Sequence, residues 1–228
     1  MKVKDLIIFD IDRTIYDGSI GQDFIIELVN EGLISSKILV NLSLELLEYE
    51  LNIETYQDTV KKALTALSQE LNNKNLNEVR DIAQKVIQYN HYKFYDYAFE
   101  LPKVFKEFDY CLLSLEPQIL VSEIASYLKI PNFICNEFPI KNNLIHKPHE
   151  IIINKSKLLE NSEFKNRRVI CAFGDSENDY DILKQADLKM MVNPTPRLLE
   201  KSGNQKNFHQ INPKIAYDEF KKNIINFA

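Results

Sequence analysis

Asp10 and Asp12 stand two residues apart in an apolar stretch, residues 6–15 (LIIFDIDRTI), with the hydroxyl of Thr14 close behind. Two carboxylates so placed can divide labour: one attacks an electrophile or holds a cation while the other moves protons. A second acidic cluster comes late in the chain, where residues 169–173 (VICAF) lead into Gly174, Asp175, Ser176, Glu177, Asn178 and Asp179. A glycine at a strand end, followed at once by a carboxylate, puts Asp175 on the same rim as Asp10 if the two strands are neighbours in a parallel sheet. Three converging carboxylates repel one another unless a cation sits among them. Oxygen donors with no His or Cys at either motif suit Mg²⁺, which takes carboxylates, carbonyls and waters and leaves positions for phosphate oxygens. Asp179 follows Asp175 by one helical turn, where it can hold a metal-bound water or a lysine. Each acid also has a plainer reading, as a cap on backbone N–H groups or a first-turn carboxylate favoured by the helix dipole.

Two further residues would complete a phosphoryl site. Residues 110–113 (YCLL) end at Ser114, and Pro117 opens an amphipathic run, QILVSEIASYL. A hydroxyl between a strand and a helix can cradle a phosphate oxygen with nearby N–H groups, or serve as a plain cap. Lys147 follows EFPIKNNLIH and precedes Pro148, the expected first residue of a helix over PHEIIINKSKLL. Its ammonium can neutralise a transferring phosphoryl group or simply be solvated. Lys155 is the nearest rival, but this reading buries it inside the predicted helix. Lys147, in the loop ahead, is therefore the expected phosphate-binding lysine.

These residues need elements to position them. The apolar run from residue 6 suits a buried parallel strand, and ligands of open α/β sheets bind beyond the carboxyl ends of such strands. Between about residues 21 and 95 the pattern turns helical, with helices expected near 22–30, 36–51, 55–67 and 76–95. Gly32 suits a helix end, and the Asn-rich LNNKNLN suits a loop. The expected organisation is an α/β, Rossmann-like core of residues 1–16 and 100–228 with an inserted α-helical cap of residues 17–99. Junctions near 16–19 and 99–102 are the natural hinges. Inserted after the first motif, the bundle would cover the strand ends and exclude water. Tyr89, Tyr92, Phe94, Tyr95, Tyr97 and Phe99 can form an aromatic wall for a substrate or pack the cap onto the core. Residues 213–227 read as a closing amphipathic helix.

In this order the four motifs resemble the haloacid dehalogenase superfamily, in its phosphoserine-phosphatase-like branch with a helical cap. Asp10-Ile11-Asp12-Arg13-Thr14 is similar to the first motif, Ser114 to the second, Lys147 to the third, and residues 174–179 (GDSEND) to the fourth. The following Val192-Asn193-Pro194 and Leu198 resemble the strand and turn after that motif. The resemblance covers roughly residues 1–16 and 100–205. It implies a phosphomonoester hydrolase in which Asp10 forms an aspartyl-phosphate and Asp12 is acid and then base. It further implies Mg²⁺ held by Asp10, Asp12 through its carbonyl, and Asp175, with Asn178 and Asp179 behind them. Thr14, Ser114 and Lys147 would bind phosphate. The superfamily's dehalogenases lack the second aspartate, so Asp12 resembles the phosphatases instead. Arg13 departs from the family, which more often has a small or neutral residue there.

A phosphoserine substrate does not fit the resemblance. The cap glutamate that holds the serine amine in phosphoserine phosphatases corresponds to Ser19, seven residues after Asp12. The arginine that holds the carboxylate corresponds to Ala63, and no arginine lies between Arg13 and Arg80.

Composition narrows the classes. At 228 residues the chain can bury a core and carry one accessory domain, too long for a capless signalling receiver. A net charge of −5 with interspersed signs argues against a nucleic-acid partner and leaves a small phosphorylated metabolite as the expected one. Three cysteines, with Cys111 and Cys171 in expected buried strands, fit a reducing compartment and a cytoplasmic protein. The basic start MKVK precedes too short an apolar run for a secretory signal, and no stretch approaches the ~20 apolar residues of a membrane span. Rival readings on the same fold are a phosphotransferase or mutase and a non-catalytic phosphate-binding regulator.

Overall fold

The computed structural model describes residues 4–203, 205 and 207–225; most of the MKVK start and Phe227, the expected end of the last helix, lie outside them. Strand β1 (Leu6–Phe9) is buried along its whole length because LIIF is apolar on both faces, and such a strand belongs in the middle of a parallel sheet. There it pairs in parallel with β2 (Asp109–Pro117) on one side and with β6 (Val169–Gly174) on the other. With β3 (Asn132–Asn136), β7 (Leu188–Val192) and β8 (Phe208–Ile211) the sheet order is β3-β2-β1-β6-β7-β8. The order reverses at β1, so a crevice opens at its carboxyl end. Register then places the chemistry: Phe9 faces both Leu112 and Phe173, and the Asp10 N–H donates to the Phe173 carbonyl at 3.1 Å. The residues just beyond those partners are Asp10, Ser114 and Asp175.

Helices α1 (Ile20–Asn30), α2 (Lys37–Glu50), α3 (Tyr56–Leu71) and α4 (Leu76–Tyr89) lie between β1 and β2 in the chain, as the helical periodicity requires. Their apolar faces join the core cluster of the sheet: Phe24, Leu28, Val79 and Val86 share it with Phe9 and Ile124. Helix α4 packs against α1 and against α6 (Gln118–Leu128). The last of these helices ends at Tyr89, not near Tyr95. Beyond it comes a 3₁₀ turn, His91–Lys93, and then Phe94, which is extended and bridges to Tyr16. Bonds from the Asp17 N–H to the Lys93 carbonyl (2.8 Å) and from the Tyr95 N–H to the Ile15 carbonyl (3.0 Å) enforce that extension. The aromatic stretch packs the fold rather than lining the crevice. Tyr97 stacks on Phe173 with centroids 5.5 Å apart and Phe94 meets Tyr16 edge-on at 4.9 Å, while Tyr89 and Tyr92 are exposed. The expected junction at residues 99–102 falls inside α5 (Tyr97–Val104), which carries Pro102 within it.

A hairpin of β4 (Ile140–Lys141) and β5 (Leu144–Ile145) reaches from the sheet side to the turn between α3 and α4. The Asn73 N–H donates to the Ile145 carbonyl (2.7 Å) and the Ile145 N–H to the Lys74 carbonyl (3.0 Å). No helix begins at Pro148. The run 151–153 is three β-branched isoleucines outside any helix or strand, and the Asn136 side chain pairs with the backbone of Ile152, accepting at 2.8 Å and donating at 3.0 Å. The helix, α7 (Lys155–Glu160), starts only after Asn154, whose side chain caps it by accepting from the Lys157 N–H at 2.9 Å. Helices α8 (Tyr180–Gln185), α9 (Pro196–Ser202) and α10 (Ala216–Ile224) complete the core; the expected closing helix has a 3₁₀ turn, Pro213–Ile215, at its start.

Candidate active site

Asp10 is the first residue past β1 and is only 7 % exposed. Thr14 Oγ1 donates to its Oδ2 at 2.9 Å, and the Lys155 ammonium donates to its Oδ1. Burial, and then the neighbouring Asp179, push its carboxyl up to about 7, with Lys155 pulling the other way. Asp12 precedes α1 by eight residues yet meets its first turn: the Ile20 N–H donates to its Oδ1 at 2.8 Å and Ser19 Oγ to its Oδ2 at 3.3 Å. Burial raises it to about 6 against those donors. From Ile11 to Tyr16 the backbone folds tightly around Asp12, with the N–H groups of Thr14, Ile15 and Tyr16 all directed at the Ile11 carbonyl. Arg13 takes a left-handed conformation there, φ 55°.

Asp175 and Asp179 lie across the rim. Asp10, Asp175 and Asp179 each offer a carboxylate oxygen, and these lie within 4.8 Å of one another. Asp179 Oδ1 accepts from Lys155 Nζ at 2.5 Å, while its Oδ2 accepts from the N–H of Asp175, the N–H of Ser176 and Ser176 Oγ, each at 3.0 Å. One aspartate thus both orients the lysine and ties down the turn carrying Asp175. Gly174 makes room for it, since a Cβ there would lie 2.5 Å from Asp179 Cβ. Burial, then Asp179 and Asp10, raise Asp175 to about 8. Arg13 Nε lies 2.9 Å from Asp175 Oδ2, but without hydrogen-bonding alignment, so this buried oxygen has no hydrogen-bond donor among the described residues.

The lysine is the clearest correction to the sequence reading. Lys147 is exposed in the segment after β5, and its backbone N–H contacts Asn72 Oδ1 at 3.3 Å. The rim position belongs to Lys155, 6 % exposed between Asp10 and Asp179. The expected helix from Pro148 would have hidden it; because the chain stays non-helical up to Asn154, Lys155 is itself the loop-to-helix residue. The capping asparagine was the available signal. Ser114 is buried on the same rim, still within β2 rather than at its end, and its Oγ accepts from the Glu116 N–H at 3.2 Å. Asn178 lines the cavity above these residues.

That cavity, of about 390 Å³, is floored by Asp10, Asp12, Ser114, Lys155 and Asp175 and walled by α1, α2 and α3. Sequence reading did not place Tyr56 and Glu116 among its wall residues. Glu116 is pushed up to about 8, by burial first and then by Asp12 and Asp10.

A family model of haloacid dehalogenase-like hydrolases matches residues 7–184, the span from β1 into α8. The chain belongs to this family. Solved structures share the hydrolase's fold at low sequence identity. One is a Bordetella pertussis protein of unknown function, 13 % identical with a TM-score of 0.69, over 88 % of this chain and 95 % of that one. Another is a substrate-bound phosphoserine phosphatase, 17 % identical with a TM-score of 0.63, over 97 % and 99 %. A third, a phosphoserine phosphohydrolase-like protein from Francisella tularensis, is 16 % identical with a TM-score of 0.59, over 88 % and 93 %. No curated protein sequence matches the chain. Among the described residues no helix is long and apolar enough to cross a membrane.

Proposed function

We propose that this hydrolase cleaves a small phosphomonoester through an aspartyl-phosphate on Asp10, with a divalent cation, Mg²⁺, as cofactor. In this reading residues 1–16 and 100–228 are the catalytic core and 17–99 a cap that encloses the substrate. The observation that carries it is the setting of Asp10: a buried carboxylate at a cavity floor, held at both oxygens by Thr14 and Lys155, with a second acid two residues on.

The donor set fits such a cation. Asp10 and Asp175, with the Asp12 carbonyl, would hold it. All are hard oxygen donors, and Asp175 Oδ2 is buried without a hydrogen-bond donor among the described residues. When bound, the cation would compensate charge on the phosphoryl oxygens. The remaining chemistry belongs to side chains. Asp10 attacks phosphorus as the bond to the leaving oxygen breaks. Asp12, tuned to about 6 and so suited to moving protons near neutral pH, protonates that oxygen and then takes a proton from the water that hydrolyses the intermediate. Lys155 and Ser114 stabilise the equatorial oxygens, and Asp179 fixes Lys155 in place.

Phosphoserine is not the expected substrate. Ser19 caps α1 and binds Asp12, and Ala63 on the cavity wall offers no charge. A cytoplasmic setting accords with the three cysteines, all free and buried.

Aryl-phosphate hydrolysis is expected to depend on added Mg²⁺ and to vanish with chelator. Asp10→Asn should keep the fold and lower turnover by several orders of magnitude. Turnover within about tenfold of the parent at saturating substrate would remove Asp10 as nucleophile.

A further inference from the structure

We infer that Glu116 recognises the leaving group, and that the preferred substrate is a phosphomonoester whose leaving group bears an ammonium nitrogen and no second anion. This rests on the phosphomonoesterase reading above.

Glu116 lies two residues beyond Ser114 on the cavity wall, on the same strand that brings the phosphate-binding hydroxyl. Its carboxylate is pressed against the first turn of α1, where residue 21 is glycine; a Cβ there would lie 2.1 Å from Oε1. The fold therefore reserves space for this side chain. Among the described residues nothing donates to the Glu116 carboxylate and no cation pairs with it. The cation whose charge acts on it is Lys155, already engaged by Asp10 and Asp179.

The charges around the cavity point the same way. Its lining holds two cations, Arg13 and Lys155, both on the floor and facing Asp175 and Asp10. The cap side adds two acids, Glu45 and Glu50; Lys62 lies 2.8 Å from Glu45 but is shared with Glu48 and Glu54. A leaving group with its own carboxylate or second phosphate would meet Glu116 and no free cation. An ammonium would meet an unpartnered carboxylate, with the ring of Tyr56 and the apolar side chains of Ile25 and Leu64 around its carbon skeleton. A partly buried carboxylate without a partner is costly, and a ligand cation offsets that cost.

The test is steady-state kinetics of the Mg²⁺-loaded full chain on matched esters. Phosphoethanolamine and propyl phosphate differ by an ammonium against a methyl group, and phosphoserine adds a carboxylate to the first. The expected kcat/KM for phosphoethanolamine exceeds each of the others by on the order of tenfold or more. Glu116→Gln should bring the phosphoethanolamine-to-propyl ratio close to one, through KM chiefly, and Glu116→Lys should shift preference to the anionic phosphoglycolate. Thermal melts check that the variants fold; should they not, the parent's ratios decide alone. A parent that hydrolyses p-nitrophenyl phosphate but treats phosphoethanolamine and propyl phosphate alike overturns this inference and leaves the phosphatase reading standing. So does a Glu116→Gln protein that folds and keeps the parent's ratio. Failure to hydrolyse any of these esters, with or without Mg²⁺, overturns both.

Discussion

Lys155 carries the sharpest consequence at the scale of single residues. It is buried between two carboxylates that between them accept six hydrogen bonds, so removing its charge leaves Asp10 and Asp179 uncompensated at short range. Lys155→Ala is expected to lower kcat on an aryl phosphate by roughly a hundredfold or more. Lys147→Ala, at an exposed site remote from Asp10, should stay within about twofold of the parent. Side-by-side turnover of the two variants decides the matter, and the opposite ranking would return the role to Lys147. Arg13 is a second departure at this scale. It occupies a left-handed conformation that costs a non-glycine residue about 1 kcal/mol, and its guanidinium faces Asp175. Arg13→Gly should relieve that strain while removing a cation from the rim. A higher Mg²⁺ concentration for half-maximal activity in the glycine variant would contradict this, because losing a competing cation should tighten metal binding at Asp175.

Between elements, the contact that holds the inserted helices down lies at the end of α2. Tyr49 donates to Glu177 Oε1 at 2.9 Å, and the Arg197 guanidinium from α9 lies over the Tyr49 ring, 4.0 Å from its centroid. Arg197 also lies 3.5 Å from Glu177 and donates to Asn52 at 2.5 Å on the loop after α2 (an exposed partner). Glu177 belongs to the turn that carries Asp175, so the cap and the acidic loop are tied at one place. A cation–π contact and one hydrogen bond are together worth about 1–2 kcal/mol. Arg197→Ala should therefore reduce kcat/KM roughly fivefold or more with little change in melting temperature, as expected for a closure contact. Tyr49→Phe should cost less, and the double variant less than the sum, since the two residues share one contact. An unaltered kcat/KM in Arg197→Ala would show that closure does not depend on this contact.

For the molecule as a whole, the raised carboxyls couple stability to pH and to metal. Asp10 near 7 and Asp175 near 8 both lie above the ~4 of a free carboxyl, so the cation-free folded state favours their protonated forms. That contribution is fully present below about pH 4 and is lost as pH rises through 7 to 8. A cation that binds the ionised forms restores it. The melting-temperature gain on adding Mg²⁺ is thus expected to be small at pH 5 and to grow through pH 8. A gain independent of pH would show that these carboxylates are not the ligands. Much of this molecule is legible in the linear chain. Both acidic motifs follow apolar runs that can only be buried strands, and the four helices of the insertion follow from 3.6-residue periodicity, because burial and local hydrogen bonding act over a few residues. What stayed hidden depends on partners distant in sequence. Asn136 binds the backbone of residue 152 and so moves a helix start to Lys155; Tyr16 draws Phe94 out of a helix; and Gly21 on α1 opens the space that Glu116 fills from β2. Local pattern determines which residues can do chemistry, whereas only the packing of separate segments decides which lysine reaches Asp10 and which carboxylate faces the cavity, since those choices rest on contacts between segments from 16 to 145 residues apart.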